Sequence, residues 1–262
     1  MTIQIDPATG NLKSNQPVRS EWLAARNNGG DKPLPEIKRP DALAKGHGDH
    51  WKKEAESDDL ALHGLAQIHD RIADSFASFA EQRDRRDPST TQAAHLNRIS
   101  IDFNRHVDFL SSQATKIQET AKRRLDSIES EFKQSINWNT KDAAEIRAVV
   151  RGMSPSERSE FLGAAVQSGD GQILGAVLDS HPSLSGLSAD QGNAFKQRAM
   201  LQHRPDLLKL QKAITKASAT TRDAFSALLA SGDTLTAREA REAFQKEAEA
   251  AKAARDRLGP TY

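Results

Sequence analysis

The sequence has no cysteine, and only 5% of its 262 residues are aromatic. The lack of cysteine excludes disulfides, thiolate metal sites and cysteine nucleophiles, and it is typical of a reducing compartment. No stretch approaches about eighteen consecutive apolar residues, and the first residues lack the apolar core of a secretory signal peptide. We therefore expect a protein that is neither exported by the Sec pathway nor inserted in a membrane.

The chain also has little net charge. Its 37 basic and 36 acidic residues leave a formal net charge of +1, so no whole-molecule field attracts nucleic acid or anionic lipid. Hydrophobic residues make up 37% of the chain and charged residues 28%, a balance that favours long solvated helices over a compact enzyme. We expect local surfaces to select the partners, which should be other protein subunits rather than nucleic acid or membrane.

Proline and glycine are concentrated near the N-terminus. Residues 1–56 hold five of the ten prolines and five of the fifteen glycines, and no hydrophobic period is sustained there. Such a segment buries too little apolar area to offset the entropy lost on ordering. The pattern therefore predicts an extended N-terminal arm over residues 1–56.

Two of the three tryptophans nevertheless lie in this arm. Trp22 and Leu23 belong to residues 20–26, a stretch that can form a capped helical turn and dock in the groove of a partner. The alternative is that Trp22 packs on its own chain. We predict partner contacts for Trp22, Leu23 and Trp51, whereas Trp138 is expected to fill a joint between domains.

A long helical hairpin is predicted for residues 57–138. Ser57, followed by two aspartates, is a suitable N-cap for a first helix over residues 58–86, and the pair Asp87-Pro88 ends that helix. No glycine or proline interrupts residues 89–138, so this range predicts a second helix of about fifty residues.

Apolar residues along the second helix recur at steps of three or four. They are Leu96, Ile99, Phe103, Val107, Leu110, Ala114, Ile117, Ala121, Leu125, Ile128, Phe132 and Ile136. Their mean step of about 3.6 residues matches a straight helix and favours packing in a bundle or hairpin over a strict two-stranded zipper. We expect this stripe to be a buried seam.

Helix-start signals dominate the remaining residues. Ser154 with Glu157, and Ser188 with Gln191, form capping boxes, and Pro205 suits the first turn of another helix. A last helix is predicted to start from a Thr236 cap and to run to Leu258. These short elements indicate a compact multi-helix domain over residues 139–262.

No stretch alternates apolar and polar residues in the way that a half-buried strand requires. The predicted fold class is therefore all-α, without any strand. Its order along the chain is an extended N-terminal arm over 1–56, a long α-helical hairpin over 57–138 and a compact helical domain over 139–262.

Motifs of catalysis are missing as well. The sequence contains no phosphate-binding glycine loop, no G-x-S-x-G, no H-E-x-x-H and no EF-hand spacing. Familiar nucleotide, hydrolase, zinc and calcium chemistry therefore has no support, and we expect a protein that is not an enzyme and that uses no cofactor.

Two histidine groups have spacings that metal ligands use. His95, Asp102 and His106 fall on one face of the long helix, where an ordinary ion pair or hydrogen bond explains them equally well. His47 and His50 lie in a glycine-rich stretch that could chelate a metal or serve as a flexible polar linker. The simpler interpretation is preferred for both groups, and no metal site is predicted.

Two basic clusters, Arg83 with Arg85 and Arg86, and residues 122–124, raise the question of nucleic-acid contact. Acidic residues surround both clusters, and no aromatic residue that could stack on a base accompanies them. We interpret both clusters as solvated, ion-paired helix faces.

Residues 153–190, with their two capping boxes and their leucine and alanine spacing, resemble stretches of uncharacterised helical proteins encoded among the structural genes of tailed bacteriophages and prophages. The resemblance implies a structural or adaptor protein of a multi-subunit assembly, such as a head, neck or tail component of a virion. Such a protein would bind copies of itself or other viral subunits, in the virion or the host cytoplasm. A coiled-coil scaffold or regulatory protein of a bacterial cytoplasm is the alternative.

Overall fold

The computed structural model describes residues 4–5, 12–13 and 31–257. The chain divides into two compact units. Of the described residues, the first comprises those within 1–38, 77–105 and 231–262, and the second comprises those within 39–76 and 106–230. The units therefore differ from the three consecutive segments of the prediction, because each helix of the long hairpin contributes residues to both.

Ten α-helices lie within the described part of the chain. They are α1 (His47–Ala55), α2 (Leu60–Asp84), α3 (Gln92–Ser135), α4 (Ala143–Gly152), α5 (Pro155–Ser168), α6 (Gly171–Leu178), α7 (Ala189–His203), α8 (Pro205–Ala230), α9 (Gly232–Leu235) and α10 (Arg238–Asp256). Single 3-10 turns span Asp41–Leu43 and Pro182–Ser185. The predicted all-α fold class is confirmed.

One pair of short strands departs from the prediction of no strand. β1 (Gln4–Ile5) and β2 (Leu12–Lys13) pair antiparallel, with Gln4 opposite Lys13. Two residues are too few for an alternating pattern to be recognised in the sequence.

The first hairpin helix, α2, begins slightly later than predicted. The Asp59 carboxylate, rather than Ser57, accepts a hydrogen bond from the backbone N–H of Ala61 at 2.9 Å. Ser57 instead ends the preceding helix, because its N–H donates to the carbonyl of Lys52. The choice between neighbouring capping residues depends on where α1 stops, which the local sequence did not indicate.

The second hairpin helix, α3, is the uninterrupted helix that the sequence predicted, with 44 residues. Its end is a left-handed turn at Asn137, where φ is 51°. The N–H of Trp138 then donates to the Lys133 carbonyl at 2.9 Å, which completes a Schellman motif. Asparagine tolerates this conformation better than most residues do.

The apolar stripe of α3 is buried within the chain. Eight of its twelve residues are buried: Leu96, Ile99, Phe103, Leu110, Ala121, Ile128, Phe132 and Ile136. The other four are half-buried. The stripe is therefore a packing seam in each unit to which α3 contributes.

Both predicted capping boxes are formed. The N–H of Glu157 donates to Ser154 Oγ at 3.4 Å, and the N–H of Ser154 donates to the Glu157 carboxylate at 2.9 Å. Ser188 and Gln191 make the same reciprocal pair at the start of α7. Each box satisfies two backbone donors that a helix start would otherwise leave without partners.

The predicted start of the last helix is wrong. Ala237, not Thr236, occupies the N-cap position of α10, and the Thr236 hydroxyl accepts a hydrogen bond from the Arg241 side chain at 3.1 Å. A short helix, α9, and a left-handed Ala237 precede α10 instead, and α10 ends at Asp256.

Two glycines of α6 allow the backbone of the joint between α3 and α4 to pack directly on this helix. A Cβ atom built on Gly171 would lie 2.1 Å from the carbonyl oxygen of Ile136, and one on Gly175 would lie 2.1 Å from that of Asn139. No side chain fits there. Trp138, which was expected to fill a joint, lies in this one and donates from Nε1 to Asp179 at 2.7 Å.

Candidate partner-binding surfaces

The structure locates only one of the three residues predicted to contact a partner. Trp22 and Leu23 lie outside the described residues. Trp51 lies on α1, within a range predicted to be extended, and is only 1% exposed. Its ring packs in the core of its own chain, so it is not a free contact residue in this conformation. Gly46, which indicated a linker, instead starts the helix in a left-handed conformation with φ of 88°.

The ring of Trp51 belongs to a cluster with two imidazoles. His47 stacks on it at 5.7 Å between centroids, and His69 meets it edge-on at 5.8 Å. The two imidazoles are themselves 4.9 Å apart in a T-shaped arrangement. His47 is therefore a packing residue of a helix, contrary to both the chelating stretch and the flexible linker considered for it. His50 is exposed and lies 3.0 Å from Glu54.

His69 is the most unusual member of this cluster because it is fully buried. Its Nε2 lies 3.2 Å from the carbonyl oxygen of Ala42 and so must carry a hydrogen and donate it. Nδ1 is buried without a hydrogen-bond partner, and the nearest carboxylate oxygen, on Asp70, is 3.8 Å away. Burial, followed by the charge of a protonated His47, lowers the pKa of His69, so the ring is neutral near pH 7.

The residues of the other histidine group each have an ordinary partner. His95 Nε2 lies 3.0 Å from the Gln82 carbonyl, and Asp102 pairs with Arg98 one turn away. His106 Nε2 lies 2.7 Å from the hydroxyl of Ser75. Within residues 31–257, no group of three or more His, Asp or Glu side chains is arranged to hold a metal ion.

An exposed apolar surface lies between α4 and α5. An open groove of about 650 Å³ there is lined by Ala148, Val149, Gly152, Met153, Glu157, Glu160 and Phe161. Val149 is 60% exposed, whereas Val150 beside it is fully buried in the core. The apolar face of this helix is therefore only partly covered by the core. We name this feature the α4–α5 groove.

A single arginine fixes the two walls of the α4–α5 groove. Arg158, on α5, donates to the carbonyl oxygens of Val150 at 3.0 Å and Met153 at 2.9 Å, which lie at the C-terminal end of α4. It also donates to the Gly186 carbonyl. A cation at the C-terminal end of a helix complements the negative end of its dipole. The groove therefore lies on a fixed helix pair rather than on a loop.

Two carboxylates form the charged rim of this groove. Glu157 and Glu160 line it, and no basic side chain does. Hydrogen bonds from the Ser154 hydroxyl, and then from its backbone N–H, lower the pKa of Glu157, which keeps this carboxylate charged. An apolar floor beside two negative charges is complementary to an apolar segment that carries lysine or arginine.

The basic cluster around Arg83 is partly a structural clamp. Arg83 is only 5% exposed and donates to the carbonyl oxygens of Pro35 at 2.7 Å and Thr234 at 3.0 Å. The interpretation of a solvated face was therefore wrong for this residue. Arg86 pairs with Asp31 at 2.7 Å, so it too holds the segment of residues 31–38.

In the second basic cluster, only Arg124 forms a bond between helices. Its Nε lies 2.7 Å from Asp59 Oδ2, and Nη1 contacts Glu131 on its own helix at 2.5 Å. Its neighbours Lys122 and Arg123 are exposed. Within this cluster, the half-buried Arg124 is therefore ion-paired, whereas its two neighbours face solvent.

Comparison with protein families, with curated proteins and with solved structures found no match to this chain. Among the described residues, no helix combines the length and the apolar character needed to cross a lipid bilayer. The surfaces of the chain itself are therefore the basis for proposing a function.

The α4–α5 groove was missed in the sequence. Ile146, Val149 and Val150 are spaced i, i+3 and i+4, which predicts one apolar face toward the core. Nothing in this spacing indicates that Val149, at the edge of that face, is exposed.

Proposed function

We propose that this protein is a structural or adaptor subunit of a multi-subunit assembly and that it binds a partner protein through the α4–α5 groove. The observation that carries the proposal is the open apolar groove of about 650 Å³ on a helix pair that Arg158 holds together. Contiguous apolar surface, rimmed by polar residues, marks interaction sites on soluble proteins.

The groove favours a particular class of partner. A groove between two helices suits a third, amphipathic helix whose apolar face covers Val149, Met153 and Phe161. Glu157 and Glu160 would then face basic residues on the flank of that helix. We assign the groove to a basic amphipathic helix of another subunit.

A bacteriophage particle is the setting that we propose for this assembly. The support is the resemblance of residues 153–190 to proteins encoded among phage structural genes, and this range includes Met153, Glu157 and Phe161 of the groove. A cytoplasmic scaffold or regulatory protein is the second candidate, because the same groove would serve it. Particle purification separates the two candidates, since only a virion component remains with the particles at constant stoichiometry.

Co-expression with the products of the genes that flank its own tests the proposal. We expect a stable complex in size-exclusion chromatography with light scattering, and we expect Val149→Asp to weaken it at least tenfold by placing a charge on the apolar floor. Because Val149 is exposed, the melting temperature should change little.

Gln167→Asp is the matched control, because it adds the same charge at an exposed position of α5 outside the groove. This variant should bind as the parent does. The groove assignment fails if both variants bind alike, and the assembly proposal fails if the chain stays alone with every flanking product.

A further inference from the structure

Residues 41–55, which we call the latch segment, pack on α8 of the second unit. The segment consists of the turn Asp41–Leu43 and helix α1, and it buries Leu43 and Trp51. On its exposed side, Glu54 pairs with Lys216 of α8 at 2.7 Å, and Lys45 pairs with Asp74 of α2. His69 of α2 lies under its buried side.

His69 is a fully buried polar group that contacts the latch segment from α2. Its imidazole donates the hydrogen bond to the Ala42 carbonyl and makes T-shaped contacts with the rings of Trp51 and His47. The bond and both ring contacts are made with the latch segment. A change in the state of this single imidazole therefore acts on the whole segment.

The surroundings of His69 accept a neutral ring better than a charged one. Nδ1 has no hydrogen-bond acceptor, and a proton added there would be buried. The groups that face the ring are His47 from α1 and Asp70 from its own helix, the latter with an oxygen 3.8 Å from Nδ1. From α8, Lys216 is directed to Glu54 and His50 on the far side of α1. Among the described residues, Asp70 alone places a carboxylate oxygen within 4.0 Å of a His69 ring nitrogen, and its side chain is exposed to solvent.

We propose that His69 is an acid-sensitive latch, which holds residues 41–55 in place while its ring is neutral and releases them when the ring is protonated. Release removes Trp51 and Leu43 from the core and makes both available to a partner. The partner contact predicted for Trp51 would then belong to the released state. This proposal is independent of the α4–α5 groove, which lies on other helices.

The direction of the effect follows from linkage. A histidine that is neutral in the docked state and freely titrating in the released state favours docking above its ordinary pKa, and this preference is lost as the pH falls below that value. With an ordinary pKa of about 6.5, one such group shifts the docking equilibrium by at most about 30-fold at pH 5.0. A strongly buried ring approaches this limit.

Hydrogen exchange of the full chain, read by mass spectrometry, tests the latch. Protection factors, corrected for the intrinsic effect of pH, are compared at pH 7.5 and pH 5.0. We expect the protection of residues 41–55 to fall by about tenfold or more within the 30-fold limit, while the protection of α7 stays within twofold. His69→Gln keeps a donor for Ala42 but does not titrate, so it should abolish the fall.

His63→Gln is the matched control, since it removes an exposed histidine from the same helix and should retain the fall. The ring of His69, followed by NMR, should titrate below the ordinary histidine pKa of about 6.5. The proposal is overturned if wild-type protection of residues 41–55 is the same at both pH values, if His69→Gln retains the fall, or if the pKa of the His69 ring is not lowered.

Discussion

Replacing Gly175 by alanine should destabilise the second unit although alanine is the better helix former. The added Cβ would meet the Asn139 carbonyl oxygen at 2.1 Å, the Asn139 carbonyl carbon at 2.9 Å and the Trp138 ring at 3.0 Å. Non-bonded heavy atoms lie more than about 3 Å apart, so the joint between α3 and α4 must move by about 1 Å to accommodate the Cβ atom. The nearest atoms belong to the backbone, which cannot rotate away as a side chain can.

The net effect is the difference between two terms. Overpacking a core costs about 1–3 kcal/mol in stability and occasionally more. The cost at Gly175 should lie at the upper end, because the nearest atoms belong to the backbone of Asn139. The gain in helix propensity from glycine to alanine is about 1 kcal/mol. Because movement of the joint would also disturb the bond from Trp138 to Asp179, we expect a net loss of about 3 kcal/mol.

Gly163→Ala provides the matched comparison. Gly163 lies within α5, and a Cβ atom built on it has no heavy atom within 4 Å. The same substitution should therefore stabilise the protein by about 0.5–1 kcal/mol. Both glycines belong to the second unit, so the same unfolding transition reports both changes.

Urea unfolding followed by circular dichroism measures the two variants. Gly175→Ala should shift the midpoint down and Gly163→Ala should shift it up, each without a change in the slope. If Gly175→Ala is as stable as the parent or as Gly163→Ala, then the close approach of α6 to the joint does not exist in solution.

Three further predictions concern other residues. Phe132→Ala should lower the free energy of unfolding by about 3–5 kcal/mol, because a fully buried ring leaves a cavity, and a loss below about 1 kcal/mol would refute its burial. Ser154→Ala should cost about 1 kcal/mol in the same assay by opening the capping box, with Ser156→Ala, outside the box, as the control. Trp22→Ala should weaken assembly with a partner and leave the melting temperature within about 1 °C, whereas a lower melting temperature with unchanged assembly would show that Trp22 packs on its own chain.

Features encoded within a few neighbouring residues could be predicted from the sequence. The two capping boxes each need only a serine and a residue three positions later, and both are formed. The long helix α3 needed only an apolar stripe and the absence of glycine and proline over its length. In both cases, the interactions that decide the structure lie within one or two helical turns of each other.

Features that depend on distant partners could not be predicted. Residues 31–38 look like part of an arm, but Gln92 accepts from the N–H of Lys32 at 2.6 Å and donates to its carbonyl at 2.9 Å. Sixty positions separate these two residues. These residues have little apolar area to bury, so the sequence predicts an extended arm. In the structure, side chains from other segments make hydrogen bonds with the backbone of this segment.

The same cause explains one error and one omission. Arg83 was interpreted as part of a solvated helix face and His69 was not singled out, yet each donates to a backbone carbonyl of the segment predicted to be an arm. A polar residue on a helix face is ambiguous in sequence: it is solvated if nothing covers it, and it is a clamp if a polar backbone packs on it. Assigning residues 31–55 to a solvated arm removed the backbone that these side chains bind, so an error in one segment produced the error in the other. A polar segment and the polar helix faces of the same chain are therefore best interpreted together, since each can supply the hydrogen-bond partners that the other lacks.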